Sequence, residues 1–313
     1  VKLKSKGKRQ KVKVENGLLV FTFTFYLFTF DFSSAGELSC WPVNYTASDP
    51  QQTAVAIIPA RYASTRLPGK ALLEIAGKPM ILRVVERTLA ARNVSRAIVA
   101  TDDERILEVV RAAGFEAVMT TRSHQSGSDR LAEVAAALDG TEMIVNVQGD
   151  EPLISPLTIE RAVDKLSNDD EALIVTTSEA ITEINDVLSP DVVKVVTDGG
   201  GRALYFSRSP IPFPREAVRK YGTLKAALAE EPSLLKLFRK HTGLYAYRRS
   251  FLLEYTGWPP SELERAEALE QLRALERGAT IRVIETDEPS IGVDTAEDLE
   301  RVRAKIKEVM SNE

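Results

Sequence analysis

The sequence predicts an α/β protein: a mostly parallel, doubly wound sheet with a smaller antiparallel insertion. Two observations carry that expectation. From residue 54 onward, short β-branched runs alternate with stretches of helical period, the pattern of a parallel sheet covered by helices on both faces. After about residue 170 strand-like runs succeed one another with little helix between them, as antiparallel neighbours allow.

Each element has a local reason. The apolar run 54–59 reads as a strand, and 79–92 has apolar residues at 81, 84, 85 and 89, with Thr88 on the same helical face. Residues 96–102 form a second strand, and 103–114 a helix closed by Gly114. A strand over 115–120, a helix over 128–138 and a strand over 142–148 follow. The helix over 155–166 opens with Ser155 as cap and Pro156 at its first position. In the second half, 171–180, 191–198 and 202–208 are strands, with Gly199-Gly200-Gly201 as a hairpin turn. A strand over 240–249, one helix over 262–278, a strand over 280–286 and a helix over 295–310 complete the chain. No internal repeat appears, so residues 53–313 are expected to form a single domain.

Residues 1–52 stand apart. They hold seven Lys/Arg against four acidic residues and six of the eleven Phe, leaving 34 basic against 41 acidic residues in the remainder. A basic start, a mostly apolar stretch from Leu18 to Phe30 and the small residues Ser33, Ser34 and Ala35 outline an export signal. The Phe/Thr alternation has the period of a strand, and Glu37 makes a poor lipoprotein box before Cys40. An unstructured or mis-started leader, a membrane-associating segment and a real strand all remain open, and membrane contact is expected only if this leader is real.

Composition excludes several classes of function. A net charge of −4 supplies no general basic field for nucleic acid. One cysteine and two histidines leave no internal disulfide and no Cys/His zinc cluster. A metal here would be a hard cation on carboxylates, magnesium if phosphates are involved.

Ligands of open parallel sheets bind past the carboxyl ends of the strands, so four polar stretches matter. The loop 59–70 places Arg61, Arg66 and Lys70 among the small residues Ala63, Ser64 and Thr65. It suits a polyphosphate, or is simply a solvated cationic loop; it is neither a P-loop nor a dinucleotide fingerprint. The second stretch, Gln148-Gly149-Asp150-Glu151-Pro152, ends a strand with carboxylates able to hold magnesium or merely to form an acidic turn. In the third, Asp294 precedes a helix; it is either the cap or, if Thr295 or an arrangement with Glu297 caps instead, a second metal carboxylate. Last, His241 and Tyr245 share a strand face, and Glu267, Glu270 and Gln271 share a face of the expected helix. That cluster suits a polyhydroxylated anionic substrate, or is an ordinary solvated surface.

Taken in order, AIIPARYASTRLPGK, HQSGSDRLAEV, IVNVQGDEP, LYFSRSPIP, HTGLYAYR, LEQLR and GVDTAEDLERV, within residues 54–305, resemble the 3-deoxy-manno-octulosonate (Kdo) cytidylyltransferases, the CMP-Kdo synthetases of Gram-negative bacteria. The resemblance implies a nucleotide-binding sheet of the nucleotide-diphospho-sugar transferase type, with residues 171–275 as a sugar-binding and dimerisation portion. It implies a cytoplasmic homodimer that uses CTP and Mg²⁺ to make CMP-Kdo and pyrophosphate for lipopolysaccharide. Position by position, Arg61, Arg66 and Lys70 would hold the triphosphate, with Ser64 and Thr65 lining the loop. Ser126, Gly127 and Arg130 would sit by the cytosine and ribose, and Asp150 and Asp294 would bind Mg²⁺. Gln148, Arg208, His241, Tyr245, Glu270 and Gln271 would surround an anionic eight-carbon sugar acid. This chain has Ser128-Asp129 where the family often has Thr-Glu, and Arg265 where it often has His. A cytidylyltransferase for an amino-substituted Kdo or a sialic acid, and a catalytically silent nucleotide-binding module, are the competing readings.

Overall fold

The computed structural model describes residues 21–23, 26–28, 53–63, 66–124, 126–288 and 290–311. It divides into two units, Val1–Gln51 and Gln52–Glu313. In the first, β1 (Phe21–Phe23) and β2 (Tyr26–Phe28) pair antiparallel, so part of the alternating Phe/Thr run does form strands. The lipoprotein reading and the rest of the export reading fall on residues outside those described, as do Ser64 and Thr65.

The second unit is built on one large sheet. Its parallel half comprises β3 (Ala54–Ala60), β6 (Val94–Thr101), β7 (Glu116–Met119) and β8 (Met143–Asn146), with β3 between β6 and β8 and β7 outside β6. A hairpin of β4 (Glu74–Ile75) and β5 (Lys78–Pro79) lies off this sheet. Beyond β8 runs the long antiparallel strand β12 (Arg239–Arg248), with β9 (Ile174–Ala180) antiparallel on its other side and β13 (Ile281–Glu285) parallel to β9. The hairpin of β10 (Lys194–Thr197) and β11 (Ala203–Ser207) joins at Lys194, opposite Lys240. The Asp198 carboxylate accepts from the amides of Gly200 and Arg202 at 2.8 and 2.9 Å, which closes the expected glycine turn.

Period-two alternation divides the core. On β3, Ala54, Ala56, Ile58 and Ala60 face one layer and Val55 and Ile57 the other. The first layer holds α1 (Met80–Leu89), α2 (Glu104–Ala112) and α4 (Pro156–Ser167). The second holds α3 (Gly127–Ala136), α8 (Arg249–Thr256) and α10 (Gln271–Glu276). Ile57, Ile58 and Ile98 are almost fully buried, and each such side chain stabilises the fold by roughly 1.5–3 kcal/mol. Helix α11 (Ala296–Ser311) closes a third cluster, with Val293, Leu299 and Val302 against Ile75 and Met80. The insertion carries the short helices α5 (Ile184–Leu188), α6 (Arg215–Tyr221) and α7 (Leu224–Glu230), of which α5 and α7 bury Val187 and Leu228 with Phe238.

One expectation is overturned. Residues 262–278 are not a single helix but α9 (Glu262–Glu267) and α10, broken at Ala268, whose φ is +51°. The reason is a buried ion pair in which Arg273 donates to Glu264 at 2.7 and 2.8 Å. In a continuous helix residues nine apart are separated by about 13.5 Å along the axis, so the chain must fold back for these groups to meet. Glu267 therefore does not share a helix face with Glu270 and Gln271.

The sheet also dictates a glycine. A Cβ on Gly149 would lie 2.7 Å from the carbonyl oxygen of Pro59, across the β3–β8 boundary. Gly149→Ala should lower stability by about 1–3 kcal/mol in urea unfolding, the usual range for overpacking. Gly199→Ala, where a Cβ meets nothing within 4 Å, should stay within about 0.5 kcal/mol of the parent.

Candidate active site

The carboxyl ends of β3 and β8 are adjacent, so Arg61 and the segment 148–150 flank one small cleft, lined also by Lys70 and Ala71. The backbone brings in the last carboxylate: the Val293 amide donates to the Asp150 carbonyl at 2.9 Å. Asp294 is left free because Thr295 caps α11. Thr295 Oγ1 accepts from the Asp298 amide at 3.1 Å while the Asp298 carboxylate accepts from the Thr295 amide at 3.0 Å. The reciprocal partner is Asp298 rather than Glu297, because it stands three residues on, where the capping box places it.

Lys70 Nζ then lies 2.5 Å from Asp150 Oδ2 and 3.0 Å from Asp294 Oδ1. Burial alone would lower the Lys70 pKa, but the two carboxylates outweigh it and hold the ammonium above its ordinary value. Arg66 meets Asp294 Oδ2 at 3.0 Å across an exposed contact, so that pair is worth about 0–1 kcal/mol and is readily exchanged for another anion. Arg61 donates to the His124 carbonyl at 3.0 Å and to that of Ser126 at 3.4 Å, which ties the loop after β3 to the entry of α3. Tyr62 in the same loop is stacked by the Arg105 guanidinium at 3.3 Å, and its carbonyl accepts from Gly69.

Among the other expected residues, His241 and Tyr245 are in contact. The His241 ring packs edge-on to Phe206 and tilted against Tyr245, with Nε2 3.0 Å from Thr176 Oγ1. Desolvation lowers its pKa to about 3, so it is neutral at pH 7. Burial raises the Tyr245 pKa well above the phenol range. Gln148 donates to the Gly243 carbonyl at 3.3 Å. Glu270 opens α10, and burial raises its pKa while a hydrogen bond from Ser128 opposes the shift. Buried Gln271 has a side-chain Nε2 without a hydrogen-bond partner.

A cleft of about 520 Å³ runs beside Glu270, lined by Ser126, Asp129, Trp258, Arg265 and Arg273 among others. Ser126 also caps α3 in a capping box with Asp129, and Gly127 begins that helix. Two expected residues point elsewhere. Arg130 is fully buried and holds Asp102 at 2.8 Å and Thr120. The Arg208 guanidinium lies on the carbonyls of Glu267, Ala268 and Pro190.

Sequence reasoning passed over Asn146, two residues before Gln148 and buried with Oδ1 unpartnered. It also passed over Lys194. The signal for Lys194 was available, since a lysine between two Val pairs in a strand pattern is out of place unless its ammonium is bonded.

These features define a nucleotidyltransferase, and the comparisons agree. The family model described as cytidylyltransferase matches residues 55–281. A 3-deoxy-manno-octulosonate cytidylyltransferase from Geobacter sulfurreducens is 56% identical over 252 residues, 80% of this chain and 98% of the relative. Its counterpart from Solibacter usitatus is 47% identical over 262 residues, with 82% and 98% covered. A solved CMP:2-keto-3-deoxy-manno-octonic acid synthetase complexed with CTP is 43% identical, with a TM-score of 0.73 over 82% of this chain and 99% of that one. A 4-diphosphocytidyl-2C-methyl-D-erythritol synthase from Anaerococcus prevotii, 13% identical with a TM-score of 0.52 over 83% and 100% of the two chains, shares the fold. The chain belongs to the 3-deoxy-manno-octulosonate cytidylyltransferase family.

The depressed His241 pKa has a consequence for stability. Because the folded value lies below the unfolded value near 6.5, the unfolded chain binds the proton more readily. The stability present above pH 6.5 is therefore lost as pH falls toward 3. His241→Gln should flatten this limb, removing about 1–2 kcal/mol of the loss between pH 6.5 and 5, as read by urea midpoints across that range.

Proposed function

We propose that this chain transfers CMP from CTP to the anomeric hydroxyl of 3-deoxy-manno-octulosonate, giving CMP-Kdo and pyrophosphate for lipopolysaccharide synthesis. The observation that carries the reading is the convergence of Lys70, Arg66, Asp150 and Asp294 on one point beside Arg61. Lys70 and Arg66 are paired with the two aspartates. A triphosphate in the cleft would draw Arg61, Arg66 and Lys70 to its oxygens, with Ser64 and Thr65 lining the same loop.

The donor set fits magnesium. Asp150 and Asp294 offer hard oxygen ligands at a spot where a cation, the Lys70 ammonium, already sits, and magnesium is commonly held by one or two carboxylates with substrate phosphates completing the shell. When bound, the ion supplies Lewis-acid charge to the α-phosphate and the incoming hydroxyl. The chain's own part is positioning and charge neutralisation. The anomeric oxygen attacks the α-phosphorus in line and passes its proton to water as the P–O bond forms. The bond to the bridging oxygen breaks, and pyrophosphate leaves with that electron pair.

On this reading Ser126, Gly127 and, behind them, Arg130 shape the cytosine and ribose end. Gln148, His241, Tyr245, Glu270 and Gln271 serve the sugar acid, with Arg208 behind them on the carbonyls of Glu267, Ala268 and Pro190. Neutral His241 suits hydrogen bonding to hydroxyls, not ion pairing with a carboxylate. The proposal includes a homodimer, supported by exposed Leu204 on β11 and Phe213 in the following loop, and a cytoplasmic setting. Among the described residues no helix is long and apolar enough to cross a membrane.

Pyrophosphate release from CTP should require the sugar acid and magnesium; release with a sialic acid or amino-Kdo in preference to Kdo would redirect the substrate assignment. Asp150→Asn and Asp294→Asn should each lower turnover by at least about 100-fold, the scale of one transition-state electrostatic contact, with CTP affinity changed only a few-fold. Full turnover of either variant at saturating magnesium would sink the mechanism.

A further inference from the structure

Behind the sugar-acid half of the site lies a polar network that the assignments above leave unused. Lys194, at the start of β10, is fully buried, and its Nζ donates to the carbonyls of Ser189, Val192 and Arg208 at 2.8, 2.6 and 2.6 Å. From the other side the Glu267 carboxylate accepts from Ser207 Oγ at 2.6 Å and from the Arg208 amide at 2.9 Å. The backbone of Arg208 is thus held at its N–H by one charged group and at its carbonyl by another.

Arg208 returns the grip. Its guanidinium donates to the carbonyls of Glu267 at 2.6 Å and Ala268 at 3.3 Å, and to Pro190 at 3.0 Å. Carbonyls at a helix end have no intrahelical partner, so these bonds satisfy the end of α9 where Ala268 adopts its left-handed φ of +51°. Two residues further on, the Tyr255 hydroxyl donates to the Glu270 carbonyl at 2.8 Å and fixes the start of α10. Glu267 itself lines neither cleft. A carboxylate on two donors is a stronger and more directional tie than a neutral acceptor.

We propose that Glu267 is a positioning residue for the sugar-acid substrate: by holding Ser207 Oγ and the Arg208 amide it anchors the α9 side of the break at Ala268 to the end of β11 and thereby places Glu270 and Gln271. The inference rests on the reading of Glu270 and Gln271 as sugar-binding residues. It separates two roles that the LEQLR motif and its neighbours had merged, contact by Glu270 and Gln271 and placement by Glu267.

The test is steady-state pyrophosphate release by the full chain, with CTP and the sugar acid varied in turn, for Glu267→Ala, Glu267→Gln, Ser207→Ala and Gln271→Ala. Glu267→Ala should raise the KM for the sugar acid at least tenfold and leave that for CTP within twofold. Glu267→Gln, which keeps one acceptor oxygen, should recover most of the loss, and Ser207→Ala should raise the sugar KM a few-fold. An unchanged sugar KM in Glu267→Ala, or an equal rise for both substrates, overturns the proposal. Should Glu267→Ala not fold, Ser207→Ala decides it, and an unaltered sugar KM in that variant overturns it. If Gln271→Ala raises the sugar KM and the Glu267 variants do not, the positioning role falls and the sugar site stands. If Gln271→Ala changes nothing, the sugar-site reading falls, and the positioning role with it.

Discussion

The Lys70 ammonium sits between carboxylates supplied by two segments far apart in the chain, Asp150 after β8 and Asp294 after β13, at 2.5 and 3.0 Å. Like charges that close repel unless a cation lies between them, so the contact constrains everything that delivers the three groups. It requires that β3 and β8 be neighbours and that the 291–294 segment return to the same edge. It also requires that Thr295 rather than Asp294 cap α11. The sheet order, the Val293–Asp150 backbone bond and the Thr295–Asp298 capping box each meet one of these conditions.

The same economy of charge runs through the rest of the cleft. Arg61 and Arg66 rest on carbonyls and on an exposed carboxylate, and an exposed ion pair of this kind is worth about 0–1 kcal/mol. Buried charges elsewhere are tightly paired instead. Arg273 is locked to Glu264, Arg130 to Asp102, and Lys194 to three carbonyls. Desolvated charges left unpaired would be costly, so these groups serve architecture, while the half-exposed ones remain available for substrate.

Much of this was legible beforehand because it is local. Strand alternation over 54–60, the Gly114 helix end and the Ser155-Pro156 helix start each follow from a few adjacent residues. The loop 61–70 and the two aspartates were recognisable as strand-end polar groups for the same reason. The break at Ala268 was not legible. Residues 262–278 carry good helix formers and a plausible apolar face, and nothing within that window announces that Glu264 and Arg273 will meet. Nor was it legible that the Arg208 guanidinium grips the backbone of a helix some 60 residues later in the chain.

By itself the sequence determined the alternation of strands and helices, the chemistry at each strand end and the family motifs, since periodicity, turn residues and caps act over a turn or two of backbone. Tertiary structure alone decided which of those ends share a cleft, where the 262–278 helical region breaks, and which arginines are buried in ion pairs. Those outcomes depend on contacts between groups separated by nine to more than two hundred residues. Only the folded sheet decides whether a charge is desolvated and paired or left free for a ligand.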